Sequence, residues 1–227
     1  MASARSLYER HLLPHLVHVV CGSTRAAEQR RLVVPRATGE VLEIGFGSGH
    51  NLAFYRPEAV TRLIGLEPSE AMWDLAQPAI ARAAVTVETV VASAEEIPLA
   101  DASVDSVVST YTLCTVPEAS RALAEVKRVL RPGGRLLFCE HGEAPDATVR
   151  RWQQRLDPLW TRAAGGCHLG RPIAALVAAA GFALDELETA YLSALRPAAF
   201  NYRGVARPAE GTKAPVSAAT ASRRSRR

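Results

Sequence analysis

Two carboxylates and three glycines are the residues whose chemistry can be read first. Glu43 lies in the apolar run Val41-Leu42-Glu43-Ile44, and Gly45, Gly47 and Gly49 follow at every second position. Glycine permits a tight turn and lets backbone N–H groups come close to a ligand, because no Cβ stands in the way. A strand, a glycine turn and a helix make a nucleotide corner at the carboxyl edge of a parallel sheet. The dinucleotide fingerprint G-x-G-x-x-G seats a pyrophosphate on the helix N-terminus. Here the pattern is E-x-G-x-G-x-G, and a carboxylate at Glu43 repels a pyrophosphate and suits a cation. S-adenosylmethionine carries an ammonium and a sulfonium and no phosphate. A second acid, Glu67, ends the run Arg62–Glu67, about 20 residues on, where an acid grips ribose hydroxyls.

The elements that must position these groups follow from periodicity. Residues 7–20 read as a helix with His11, His15 and His18 on one side. That spacing offers imidazoles to a metal, but no acid or cysteine joins them and Pro14 disturbs the helix. The helix is expected across the cofactor mouth, with Tyr8 or a histidine near the substrate. A second helix runs over Thr24–Val34, and a short one over Asn51–Tyr55. Ser69 is the expected cap of a helix that Pro78 shortens or kinks. Strands are expected at Val85–Val91, Val104–Thr110 and Arg135–Glu140, with a helix over Pro117–Leu130 and a turn at Arg131-Pro132-Gly133-Gly134. Residues 146–163 form an extra helical segment in which Trp152, Leu156 and Trp160 recur every four positions. Phe182–Leu192 and Phe200–Ala206 read as a closing antiparallel pair. This alternation is that of a doubly wound α/β sheet, and it brings the glycine turn, Glu67, Ser93–Glu95 and Thr110–Thr115 to one edge.

The chain has 227 residues, which suits one domain and a tail: a helical cap over 1–38, a domain over 39–206 and a disordered basic tail over 207–227. The formal charge is +4, but Arg207, Lys213, Arg223, Arg224, Arg226 and Arg227 face only Glu210 in the tail, which leaves the body slightly negative. A nucleic-acid enzyme needs a basic footprint on its folded body, so no nucleic-acid partner is expected. The basic tail offers weak contact to RNA or anionic lipid, but its Pro, Ala, Ser and Arg composition is that of a solvated, disordered end. No apolar run approaches a membrane span, and the start lacks the apolar region of a secretory signal, so a cytoplasmic protein is expected. Cys21, Cys114, Cys139 and Cys167 are far apart with no C-x-x-C, which gives no disulfide framework and argues against a zinc site; no metal is expected.

The segments Glu43-Ile-Gly-Phe-Gly-Ser-Gly, Ser93-Ala-Glu-Glu-Ile-Pro-Leu, Ser103-Val-Asp-Ser-Val-Val-Ser and Glu125-Val-Lys-Arg-Val-Leu-Arg-Pro-Gly-Gly resemble those of class I S-adenosylmethionine-dependent methyltransferases of the small-molecule type. The likeness runs over about 40–206. Thr112-Leu-Cys-Thr-Val, Glu140-His141, Arg151-Trp152-Gln-Gln and Pro158-Leu-Trp160 through Gly166-Cys167 are similar to the alkyl-thiol methyltransferases. Those carry an apolar N-terminal anchor that this chain lacks, so a soluble form is expected. The resemblance implies a Rossmann-like, seven-stranded, mostly parallel sheet with an N-terminal helical cap.

It also implies roles. Backbone at Gly45, Phe46, Gly47 and Gly49, with Glu43 and Asn51, holds the methionine part of S-adenosylmethionine. Glu67 and Pro68 meet the ribose, and Ala94 and Glu95 flank the adenine. Ser93 stands where most relatives have aspartate, which weakens a contact to the adenine amino group. Thr110 and Tyr111 line the methionine end. Tyr8, Cys114, Thr115, Trp152 and Cys167 face a small-molecule acceptor, and His141 is the candidate base. The activity implied is methylation of a small molecule, with a thiol preferred. The rivals are a lipid-headgroup or quinone-type methyltransferase, a cofactor-binding regulator without turnover and, weakest, a nicotinamide oxidoreductase.

Overall fold

The apolar runs around the glycine turn become the middle of a seven-stranded sheet. The computed structural model describes Tyr8 and residues 12–209; His11 and residues 210–227 of the expected basic tail lie outside these. The strands are β1 (Gly39–Ile44), β2 (Val60–Leu66), β3 (Val87–Val90), β4 (Val104–Thr110), β5 (Leu130–His141), β6 (Phe182–Tyr191) and β7 (Phe200–Pro208), in the order β3-β2-β1-β4-β5-β7-β6. Only β7 runs antiparallel to its neighbours, β5 and β6. The expected closing pair is therefore present, with the last strand inserted between β5 and β6.

Burial on both faces explains why the inner strands are apolar at nearly every position. Leu42, Ile44, Ile64, Leu66, Leu136 and Phe138 pack on one face against α4 (Ala119–Val129) and α6 (Ile173–Ala179). Val41, Leu63, Val108 and Leu137 pack on the other against Val33 at the end of α2 (Thr24–Val33) and Trp73 and Ala76 of α3 (Glu70–Ile80). From β1 the chain steps outward to β2 and β3, then returns to β4 on the other side of β1. The β1/β4 junction is thus the switch point where a crevice opens at the strand ends.

Local differences from the expected elements have physical causes. In α1 (Leu13–Cys21), Pro14 sits in the first turn, where a missing N–H costs nothing; it starts the helix instead of disturbing it. Leu12, Leu16, Val19 and Val20 stay exposed. Ser69 caps α3 as expected, and α3 continues through Pro78 to Ile80. The Arg131–Gly134 turn is absorbed into β5, which begins at Leu130 paired with Val104, with a register shift between Val104 and Ser106. The edge strand β3 is shorter than expected. Between β5 and β6 lies α5 (Ala147–Ala163), in the expected place. Among the described residues no helix is long and apolar enough to cross a membrane.

Candidate active site

The glycine turn leaves β1 with Gly45, Gly47 and Gly49 all at positive φ (64°, 56° and 78°), a region that side chains rarely adopt. At Gly45 the space a Cβ would need is filled by Thr112. At Gly47 that space is open save for the Met72 methyl and the Gly45 carbonyl, so the backbone there is presented to a ligand. Glu67, at the end of β2, holds this turn: its carboxylate accepts from Gly47 N and from Ser69 N, each at 3.0 Å. Both expected acids therefore reach the same strand edge, Glu67 through the turn itself.

Glu43 is 1% exposed. Its carboxylate accepts from Asn51 Nδ2 at 2.9 Å and from the Tyr55 hydroxyl at 2.6 Å. Burial raises its pKa to about 7, against the pull of Tyr55, Asn51 and Arg30. Asn51 also bonds Thr110 Oγ1 at 3.1 Å, which ties the end of β4 to the same network. Tyr111 follows with φ 57°, a rare conformation for a bulky side chain, at the switch point itself.

Arg30 was not singled out in the sequence. It is 4% exposed, its guanidinium lies 5.1 Å from the centre of the Tyr111 ring, and one Nη–H donates to the Cys21 carbonyl at 2.5 Å. Its Nε is buried without a hydrogen-bond partner among the described residues. A buried cation with an orphaned donor is costly unless an anion completes it. The readable signal was an arginine on the inner stripe Ala26-Arg30-Val33 of α2.

The ring of Phe46, another residue expected at the cofactor, is buried and stacked on Trp73 at 4.9 Å. Pro68 is exposed next to Glu67, and Ala94 is buried. Ser93 Oγ accepts from Glu95 N at 3.2 Å, and Glu95 Oε1 accepts from Glu118 N at 2.6 Å. Glu95 is thus spent on the chain ahead of α4. The expected α1 crossing takes the form of a latch on the glycine turn: His18 Nδ1 bonds Ser48 Oγ at 2.7 Å and the His18 and His50 rings stack at 4.8 Å.

The residues expected on the acceptor side come from three segments. Cys114 follows β4, His141 ends β5 and Cys167 lies past α5. His141 Nε2 is 2.7 Å from Cys167 Sγ, and the two thiol sulfurs are 3.9 Å apart. Sequence separation conceals this grouping, because the three residues lie on different connections. Glu140, fully buried, braces the loop by accepting from Ser109 Oγ at 2.7 Å, Thr112 N at 3.0 Å and Cys114 N at 3.3 Å. Arg171 donates to the Leu113 and Val116 carbonyls, and His168 N to the Cys114 carbonyl at 2.8 Å. Gln153, 1% exposed, donates to the carbonyls of Gly142, Leu169 and Pro197 and accepts from Ala144 N. Thr115 stands beside Cys114, 3.6 Å from its sulfur. Tyr8, also expected there, donates to the Ala163 carbonyl at the end of α5 at 2.5 Å. Trp152 does not join: half exposed, it lines a separate surface depression with Asp146, Leu195 and Arg196. Further along the same helical stripe, the Trp160 ring N–H is buried without a hydrogen-bond partner.

The strand order and the switch-point acids define a class I methyltransferase fold. Residues 42–138 match the family described as "Methyltransferase domain". It is 40% identical over 139 residues to thiol S-methyltransferase TMT1A of Homo sapiens, covering 60% of this chain and 57% of that protein. It is 36% identical over 150 residues to thiol S-methyltransferase TMT1B of Rattus norvegicus, covering 65% and 62%. The match thus spans about three fifths of the length of these relatives. Among solved structures, a SAM-dependent methyltransferase from Methanosarcina mazei aligns with TM-score 0.62 at 22% identity, over 77% of this chain and 94% of that one. The cyclase SpnF aligns with TM-score 0.63 at 19% identity, over 81% of each chain. These likenesses establish the fold; the cyclase shows that the fold alone does not fix the reaction.

Proposed function

We propose that the protein is an S-adenosylmethionine-dependent methyltransferase acting on a small-molecule acceptor, with a thiol preferred. The observation that carries this reading is the pairing of two buried strand-end acids, Glu43 and Glu67, around a glycine turn whose Gly47 N–H is held by Glu67. The donor set fits the cofactor. Glu43 matches its ammonium, Arg30, whose Nε is unpartnered, its carboxylate, and Glu67 its ribose hydroxyls. When bound, S-adenosylmethionine supplies an electrophilic methyl on a good leaving group. The chain's task is then to align the acceptor and exclude water.

Cys114, Thr115, His141 and Cys167 form the acceptor side, beside the methionine end at Thr110 and Tyr111. His141, expected as a base, is engaged with Cys167. Burial opposes its protonation, but Cys167, Glu140 and Asp157 outweigh burial and raise its pKa. Its Nε2 is occupied by the Cys167 thiol at 2.7 Å, so the reading rests on alignment of the acceptor. The thiol preference draws support from the two relatives named as thiol S-methyltransferases. We place the protein in the cytoplasm, as a catalyst of free small molecules.

The test is mass-spectrometric detection of methylated product after incubation with S-adenosylmethionine and, separately, alkyl thiols, amines, phenols and a membrane extract. Methylated thiol is the expected product. Methylation confined to lipid or quinone would overturn the acceptor assignment. Cofactor binding with no product from any class would favour a regulator without turnover.

A further inference from the structure

The geometry points to a metal site at Cys114, His141 and Cys167: three ligands for a zinc-class divalent cation, with one coordination position left open. Their ligand atoms all lie within 4.8 Å of one another. Zinc bound to two thiolates at about 2.3 Å in a tetrahedron holds the sulfurs about 3.8 Å apart. Here the separation is 3.9 Å. The 2.7 Å contact between His141 Nε2 and Cys167 Sγ must open by about 0.8 Å to reach the tetrahedral N–S distance, and the widest separation in the group, within 4.8 Å, must close to about 3.6 Å. Two cysteines, a histidine and an open position are the donor set of a catalytic zinc centre, whereas a closed set of four marks a structural one.

The three ligands are preorganised by the backbone that carries them. Glu140 fixes Cys114 N, and His168 N fixes the Cys114 carbonyl. Arg171 binds the carbonyls on either side of Cys114, at Leu113 and Val116. Gln153 joins the segment after His141 to the segment after Cys167 through Gly142 and Leu169. A ring of hydrogen bonds thus holds two thiols and an imidazole together, although a thiol pair needs no such framework for packing alone.

A divalent cation leaves the charge of the site balanced. On binding a divalent cation, Cys114 and Cys167 each release one proton to solvent and neutral His141 donates its Nε2 lone pair. The site then gains two positive charges and loses two protons, which leaves its net charge unchanged. The identity of the fourth ligand rests on the methyltransferase reading: an acceptor thiol would bind there as thiolate.

The test uses the full chain, reduced and freed of metal by chelation, and titrates it with Co²⁺. The expected result is one cobalt per chain, with thiolate-to-metal charge-transfer absorption in the near ultraviolet and displacement by Zn²⁺. Cys114→Ser and Cys167→Ser should each abolish that absorption and weaken binding by more than about 100-fold. Cys139→Ala, a thiol outside the cluster, should keep it. Should a cluster variant fail to fold, alkylation of the unsubstituted chain mapped by mass spectrometry decides: Zn²⁺ should protect Cys114 and Cys167 selectively. Absence of cobalt binding, absorption that survives both serine variants, or equal alkylation with and without zinc would overturn the site. S-adenosylmethionine binding is measured on the same metal-free chain. Cofactor binding without cobalt binding removes the metal site alone, and cobalt binding without cofactor binding removes the proposed function alone.

Discussion

Tyr55 donates its hydroxyl to Glu43 Oε2 at 2.6 Å inside a site where Glu43 is 1% exposed. The bond favours the carboxylate, yet desolvation is larger and leaves the Glu43 pKa at about 7, against 4.5 for the free group. Near neutrality this acid is half protonated and waits for a cation. Binding the cofactor ammonium should ionise it and release up to one proton below pH 7. Calorimetry in buffers of different ionisation enthalpy will read that proton. Affinity should improve by up to about tenfold per pH unit up to pH 7 and then level off.

The same shift predicts a stability trend. A raised folded-state pKa means that the folded chain binds more protons than the unfolded chain between about 4.5 and 7. Its contribution is fully present below 4.5 and is lost as pH rises through 7, for a total of about 3 kcal/mol. Burial shifts Glu67 and Glu140 the same way, so the comparison is with Glu43→Gln. That variant should flatten part of the slope in urea denaturation between pH 5 and 8.

Arg30 is predicted to take the cofactor carboxylate. Arg30→Met should weaken S-adenosylmethionine binding by about 10- to 100-fold, the range of a charge-assisted hydrogen bond. Decarboxylated S-adenosylmethionine supplies the control: its affinity should be the same for both proteins. Equal losses for the two ligands would assign Arg30 to packing against Tyr111.

Glu67→Ala removes the acceptor of two backbone N–H groups, at Gly47 and Ser69. A destabilisation of about 2–4 kcal/mol is expected from denaturant titration, together with loss of discrimination between the cofactor and its 2′-deoxy analogue.

Gln153→Ala leaves the Gly142, Leu169 and Pro197 carbonyls without their shared donor. It should cost about 3 kcal/mol of stability. Alkylation of Cys167 should also become faster, because the segment that carries it loses its tie to the end of β5.

The strand and helix plan was legible because strands buried on both faces must be apolar almost throughout, as β1, β2 and β4 are. The glycine turn and Glu67 were legible because backbone shape demands particular residues there. The acceptor side was legible only in part. Cys114, His141 and Cys167 lie on separate connections, and periodicity says nothing about which loops meet. Trp152 and Trp160 share a helical stripe, but the sequence does not say where along it the helix turns from solvent to interior. Arg30 was missed because a charged residue in a helix reads as surface until its burial is known. The β5 start was misplaced because a Pro-Gly-Gly turn reads as a break, although its neighbours can still pair as a bulged strand.

Titration of the metal-free chain with S-adenosylmethionine at pH 8, beside Glu43→Gln, tests the central claim most directly. The account predicts one saturable site per chain that weakens by at least about tenfold in the variant while the fold remains intact. No saturable binding at millimolar cofactor, or equal affinity in the two proteins, would contradict it.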